Sequence, residues 1–187
     1  MTTKTFLHRY FFAALPDPIS RARIHAWTER RLGHRGLQPA ERLHLTLGIT
    51  ADFSEPEPAV VEALIRAGNA IQAAAFDLPL DRLSIGGRSS ALRPAKTVAP
   101  LRSLQAALTR AMVREGVTMR PGWTFSPHVT LSYRDSRPAT QPVKDRGWHV
   151  GEFVLVHSLV GLTRHEILAR WRLEDEEPDR QFSLFSA

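Results

Sequence analysis

Hydrophobic positions along the chain recur with two periods, near two residues and near 3.6, so strands and helices are interleaved throughout. The apolar run ending Tyr10-Phe11-Phe12-Ala13-Ala14 predicts a buried strand over residues 5–14. Asp17-Pro18 supplies an N-cap and a first-turn proline, and predicts a helix to Leu32 with Ile24 and Trp27 inward, stopped by Gly33 and Gly36. Residues 42–49 alternate and read as a strand, and 51–58 as a loop. Val60, Leu64, Ala67, Ile71 and Ala75 predict a helix over 58–74. A strand over 76–85, a Gly86-Gly87 turn and a short return strand over 90–94 follow. Leu101, Leu104, Leu108 and Ala111 mark a helix over 100–115, ended by Gly116. Residues 126–133 alternate again, 134–147 read as a polar, proline-rich loop, and 153–160 with 165–173 as a hairpin around Gly161-Leu162-Thr163.

This order contains a duplication. Strand, helix and an alternating strand carrying His-x-Thr occur in residues 5–49 and again in 90–133. Pro18 precedes His44 by 26 positions and Pro100 precedes His128 by 28. The spacing predicts two lobes related by a pseudo-twofold axis, with a site lined from both sides.

Composition narrows the chemistry. There are 187 residues, 43% hydrophobic and 24% charged, enough for one sizeable core and unlike a disordered chain. No apolar run of about 18 residues occurs, so no membrane span is expected. The apolar start is broken by His8 and Arg9 and lacks a small-residue cleavage site, so it reads as a strand and not a signal peptide, and a cytoplasmic protein is expected. Cysteine is absent, which excludes disulfides, thiolate catalysis and Cys-based zinc sites. The net charge of +6 divides unevenly: residues 174–187 hold five acids and one base, leaving 24 bases against 14 acids in the body, a net +10. All but three of the 25 bases are Arg, whose planar fork suits phosphate, so an anionic partner such as RNA or a nucleotide is expected.

The candidate chemistry lies in His44-Leu45-Thr46-Leu47 and His128-Val129-Thr130-Leu131. Strand side chains alternate, so His44 shares a face with Thr46, and His128 with Thr130. Two imidazoles and two hydroxyls suit in-line displacement at a phosphodiester. One imidazole takes a proton from the nucleophile and the other protonates the leaving oxygen. Imidazole titrates near 6.5, so neutral and protonated copies coexist near neutrality. The hydroxyls donate to the non-bridging oxygens, where charge builds up. No metal or cofactor is required. A metal site fits less well, because each strand offers one good ligand and no His-Glu-x-x-His occurs. No Gly-x-Ser-x-Gly elbow or Gly-rich phosphate loop is present.

The twin His-x-Thr-x motifs, with this element order and length, resemble the 2H phosphoesterase superfamily. Within it the chain is most similar to the RNA 2′,3′-cyclic phosphodiesterases, historically called 2′-5′ RNA ligases. The Arg9–Pro16 and 76–87 stretches resemble that branch too, and the resemblance covers about 1–173. It implies an α+β, bilobal fold: two antiparallel sheets flanking a central cleft, helices outside, forming one monomeric domain over 1–173. By the same resemblance His44 and His128 are the catalytic pair, and Thr46 and Thr130 bind phosphate. The implied reaction is hydrolysis of a 2′,3′-cyclic phosphate at an RNA or nucleotide end, leaving a 2′-phosphate. Ligation as the main activity, and a non-catalytic RNA-binding module of the same fold, are the alternatives. Many members place Arg soon after the second motif's Leu; here Ser132-Tyr133 intervene before Arg134, which leaves the substrate open.

Around the motifs, Arg42, Phe125, Tyr133 and Arg134 are candidate substrate contacts: Arg42 by period two from His44, Phe125 by stacking, Tyr133 and Arg134 by position. His8, alternating with Tyr10 and Phe12, is a candidate cleft residue; His149, His157 and His165 read as structural or surface groups; Trp171 shares a predicted core face with Ile167, Ala169 and Leu173. The segment 174–187 reads as an acidic, flexible tail. Its Gln181, Leu184 and Phe185 resemble the short Gln-x-x-Leu-Phe peptide by which bacterial proteins bind the DNA-polymerase sliding clamp.

Overall fold

Among the described residues ten strands and three α-helices follow in the order β1 (Leu7–Ala14), α1 (Pro18–Leu32), β2 (Leu45–Ile49), α2 (Pro58–Asn69), β3 (Phe76–Leu78), β4 (Arg82–Ile85), β5 (Ser90–Arg93), α3 (Ala99–Arg114), β6 (Val129–Ser132), β7 (Ala139–Pro142), β8 (Trp148–Val150), β9 (Glu152–Val160) and β10 (Arg164–Arg172), with a 3-10 turn, Ala40–Arg42, before β2. The computed structural model describes residues 6–134, 136–162 and 164–174. The tail anchors Gln181, Leu184 and Phe185 lie outside the described residues, as does Thr163 of the hairpin turn.

Eight strands form one sheet in the order β10-β9-β1-β2-β6-β5-β4-β7, and β3 pairs with β8 in a second, small sheet. The architecture is α+β, and every pairing between these strands is antiparallel. The large sheet is two four-stranded halves joined edge to edge by one residue pair, Leu45↔Val129. The first half, β10-β9-β1-β2, carries the first motif; the second, β6-β5-β4-β7, carries the second.

Beyond that pair the two lobes exchange backbone. Gln38 donates to the Leu131 carbonyl and Tyr133 to that of Gly36, so a first-lobe segment extends the end of β6. Ala51 donates to the Thr118 carbonyl and Arg120 to that of Ile49, so a second-lobe segment extends the end of β2 in the same way. Gly36 has φ 70, and a Cβ there would meet the Tyr133 carbonyl oxygen at 2.6 Å, so this crossing requires glycine. The helices cross as well. α1 follows β1, yet Arg23 donates to the Gly147 carbonyl at 2.6 Å, Arg31 bonds Gln141 of β7, and Arg146 stacks over Trp27. α3 follows β5, yet it packs on β2 and α2, with Met112 against Gly48.

Local chemistry accounts for the element ends. The Asp17 carboxylate accepts from the N–H groups of Ile19 and Ser20, and Gly33, at φ 74, ends α1. α2 stops at Asn69, short of the expected 74, because 73–75 are drawn into backbone bonds with Glu174 and the Asn69 side chain accepts from the Trp171 indole. The expected strand 76–85 divides at Pro79, which cannot donate to a ladder; β3 leaves for β8 while β4 stays in the large sheet. β7 lies within the expected loop 134–147. It is a short edge strand bearing proline, tolerated because one side needs no partner.

Most of the core lies between the helices and one face of the sheet, around Phe12, Leu45, Leu47, Leu92, Leu131 and Phe153. A smaller apolar cluster, Phe11, Ala13, Val154 and Val156, sits on the opposite face of the first lobe. Register in the hairpin explains one departure from simple alternation. Ile167 pairs with Val156 but Ala169 with Leu155, so Leu168 is an extra residue. His165 and Ile167 therefore lie on the Val156 face, while Ala169 and Trp171 turn to the core, where Trp171 stacks on Phe153 at 5.1 Å. The expected common face of Ile167 and Trp171 is corrected by this bulge.

Candidate active site

The join between the two half-sheets builds the site. Leu45 and Val129 are buried and paired, and each directly follows a motif histidine. Antiparallel register then sets His44 opposite Thr130 and Thr46 opposite His128, all on one face. Opposite residues stand about 5 Å apart, and the diagonal, which joins the two histidines, spans about 7–8 Å. Two imidazoles and two hydroxyls thus mark the corners of one quadrilateral, and all four line the same cleft.

Both imidazoles are oriented identically. His44 Nδ1 lies 2.7 Å from the Arg42 carbonyl oxygen, and His128 Nδ1 lies 2.7 Å from that of Ser126. A carbonyl only accepts, so Nδ1 carries the hydrogen in both, which leaves Nε2 as the ring nitrogen with an open lone pair. Neither threonine hydroxyl has a protein partner among the described residues. Burial pushes both imidazoles below their ordinary value, against the bonded carbonyls; His128 adds to the effect on His44, and Arg93 to that on His128.

The cleft around this square has a volume of about 670 Å³. Arg42 and Tyr133 line it, and Tyr133 is exposed. Phe125 does not line it; the ring packs against the main core beside Trp123. Arg134 is also outside the lining, half-buried with Nε unpartnered. His8 faces the core side of β1 and meets His157 at 2.9 Å, so the expectation that it lines the cleft is corrected. Its neighbour Arg9 lines the cleft instead, held by a two-pronged bond to Asp52 at 2.6 and 2.7 Å, which lowers the Asp52 carboxyl.

Besides Arg9, three polar cleft residues escaped the sequence reading. Gln38 is placed by the crossing segment, and Ser158 by pairing with His165. His165, expected to be a structural or surface group, lines the same cleft: its ring meets that of His44 edge-on at 5.5 Å, and Phe11 touches both. Burial, with His44 and Arg42 nearby, pushes it down to about 4, so it is neutral near pH 7. Period two places Arg9 with Phe11, a legible signal; the bulge at Leu168 hid His165. Among the described residues no three His, Asp or Glu side chains gather as a metal site.

A sequence model of the 2′-5′ RNA ligase superfamily matches residues 15–161. The fold is similar to that of E. coli LigT complexed with 3′-AMP, at 27% identity over 90% of this chain and 98% of that one, TM-score 0.71. A structure described as a phosphoesterase matches at 27% identity over 90% and 99%, TM-score 0.72. TT0787 of Thermus thermophilus shares the fold at 23% identity over 90% and 100%, TM-score 0.70. No curated protein sequence matches. No helix among the described residues is long and apolar enough to cross a membrane.

Proposed function

Because the chain belongs to the 2′-5′ RNA ligase superfamily, whose relatives of like fold include a phosphoesterase, we propose that it hydrolyses 2′,3′-cyclic phosphate ends of RNA or nucleotides to 2′-phosphates. The observation that carries this reading is the quadrilateral at Leu45↔Val129, with both histidines held by Nδ1 on a carbonyl. One Nε2 removes a proton from water, and the water oxygen attacks phosphorus. The P–O3′ bond breaks, and the other Nε2–H gives its proton to O3′, leaving a 3′-hydroxyl and a 2′-phosphate. Thr46 and Thr130 donate to the non-bridging oxygens as their charge grows. His44, His128, Thr46 and Thr130 are therefore the catalytic set, with Arg42 and Tyr133 on the cleft wall. E. coli LigT structures hold 3′-AMP, phosphate and ATP, which supports a nucleotide phosphate as ligand. Strand joining would be the same displacement in the same direction, with an RNA 5′-hydroxyl entering in place of water, the P–O3′ bond breaking and O3′ taking the proton.

The test is hydrolysis of a 2′,3′-cyclic nucleotide, with and without EDTA. Activity is expected to persist in EDTA and to fall by about 10²–10⁴-fold in His44→Ala and in His128→Ala. Abolition by EDTA, or full activity in either variant, overturns the mechanism.

A further inference from the structure

The two lobes match at the motifs and differ beside them. On the first lobe, the residue after Ala14, which pairs with Leu45, is Leu15, an aliphatic neighbour of His44. On the second, the residue after Leu92, which pairs with Val129, is Arg93. Arg93 stands directly opposite Arg82 of β4. The sheet face that bears His128 thus carries a row of three cationic or ionisable groups, His128, Arg93 and Arg82, across three adjacent strands, the two arginines lying beyond the lining of the cleft.

Like charges placed directly opposite on neighbouring strands repel. Here both guanidiniums are half-buried, and neither has a carboxylate within ion-pair distance among the described residues. Arg93 Nη1 donates to Ser126 Oγ at 2.8 Å and Arg82 Nη2 to the Pro94 carbonyl at 3.2 Å. Arg82 Nε is buried without a partner. Each guanidinium has five N–H donors, so most remain free. Burial and the facing Arg82 both lower Arg93. A repelling pair with spare donors and no counter-charge is the arrangement an anion completes. Ser126 ties the pair to the reacting centre, because its carbonyl holds His128 Nδ1 while its hydroxyl holds Arg93.

We propose that Arg82 and Arg93 form a second phosphate subsite, beside His128, for the internucleotide phosphate next to the cyclic end. This rests on the hydrolytic reading above and narrows its substrate to an RNA end of two or more nucleotides. Strands lie about 5 Å apart, so Arg93 and Arg82 are about 5 and 10 Å from the His128 strand, which brackets one nucleotide step. The first-lobe side near His44 is lined by Phe11, Leu15, Val156 and Ile167 together with Glu41, Arg42 and His165, so it holds one arginine beside a carboxylate residue and not a facing pair of arginines.

The test measures binding and turnover separately. Binding of a fluorescent trinucleotide ending in a 2′-phosphate, which hydrolysis does not consume, is titrated over a range of salt against wild type, Arg82→Gln, Arg93→Gln and Arg82→Lys. Each Gln variant is expected to lose about tenfold in affinity and to flatten the slope of log K against log salt by up to about 0.7, the share of one phosphate on a single strand. Arg82→Lys is expected to keep the slope. Thermal unfolding without ligand is expected to show the Gln variants at least as stable as wild type, since one repelling charge is gone. Unchanged affinity and slope in both Gln variants, or a loss of stability that accounts for weaker binding, overturns the subsite. In the turnover arm, wild type is expected to favour a cyclic-ended trinucleotide over a cyclic mononucleotide by at least about tenfold in kcat/KM, with that ratio reduced in Arg82→Gln. A ratio near one overturns the subsite alone. Failure of wild type on both cyclic substrates overturns the hydrolytic reading, while the binding arm still decides the subsite.

Discussion

At the scale of single residues, the pH behaviour follows from three half-buried imidazoles. His44 and His128 both titrate below the ordinary 6.5, because burial disfavours their charged forms. Acid and base must each be in the right state, so kcat/KM should trace a bell. Its maximum is expected on the acid side of pH 6.5; a maximum above pH 7.5 contradicts the burial argument. His165 contributes to stability with a definite sign. Its pKa is about 4 when folded and near 6.5 when unfolded, so the unfolded chain binds more protons between those values. The stability it provides is complete above pH 6.5 and is lost as pH falls toward 4. His165→Gln should therefore flatten the loss of stability between pH 7 and 4.5 in urea titrations, relative to wild type.

At the scale of elements, the segment 36–38 matters more than its length suggests. It extends β6, supplies Leu37 and Gln38 to the cleft, and needs φ 70 at Gly36. Gly36→Ala adds a Cβ against the Tyr133 carbonyl oxygen, besides the left-handed strain. The cost is expected at about 1–3 kcal/mol, read from denaturant midpoints, with a loss of activity from the displaced cleft wall. An alanine variant as stable and active as wild type would show that the crossing is dispensable. The same elements show what alternation could reveal. The helix started by Asp17 and the helix ended near Gly116 were legible, because each depends on local chemistry. The motif strands were legible at their centres, but β2 begins at Leu45 and β6 at Val129, three residues later than alternation predicts, with Ala40–Arg42 forming a 3-10 turn before His44. β7 and the division at Pro79 were not legible, since an edge strand of Ala, Thr, Gln and Pro carries no hydrophobic period and a change of sheet leaves no periodic trace.

At the scale of the molecule, the exchanged helices and strand segments bind the lobes into one unit. α1 and α3 each pack across the pseudo-twofold, and each motif strand is completed by backbone from the other lobe. Neither lobe buries its core alone, so unfolding should be a single transition. Calorimetric and van't Hoff enthalpies are expected to agree, and two resolved transitions would show the lobes to be independent.

The sequence by itself determined which side chains share a face: His44 with Thr46, His128 with Thr130, and Arg9 with Phe11, because alternation is a property of any extended strand. It also implied the duplication, because matched spacing is visible without contacts. Only the tertiary structure decided that Leu45 pairs with Val129, and hence that the histidines sit on one diagonal. It alone brought His165 and Gln38 into the cleft and set Arg82 against Arg93. The physical reason is register. A one-residue bulge or a single long-range pair redirects every side chain beyond it, and neither leaves a signature in the local pattern of the chain.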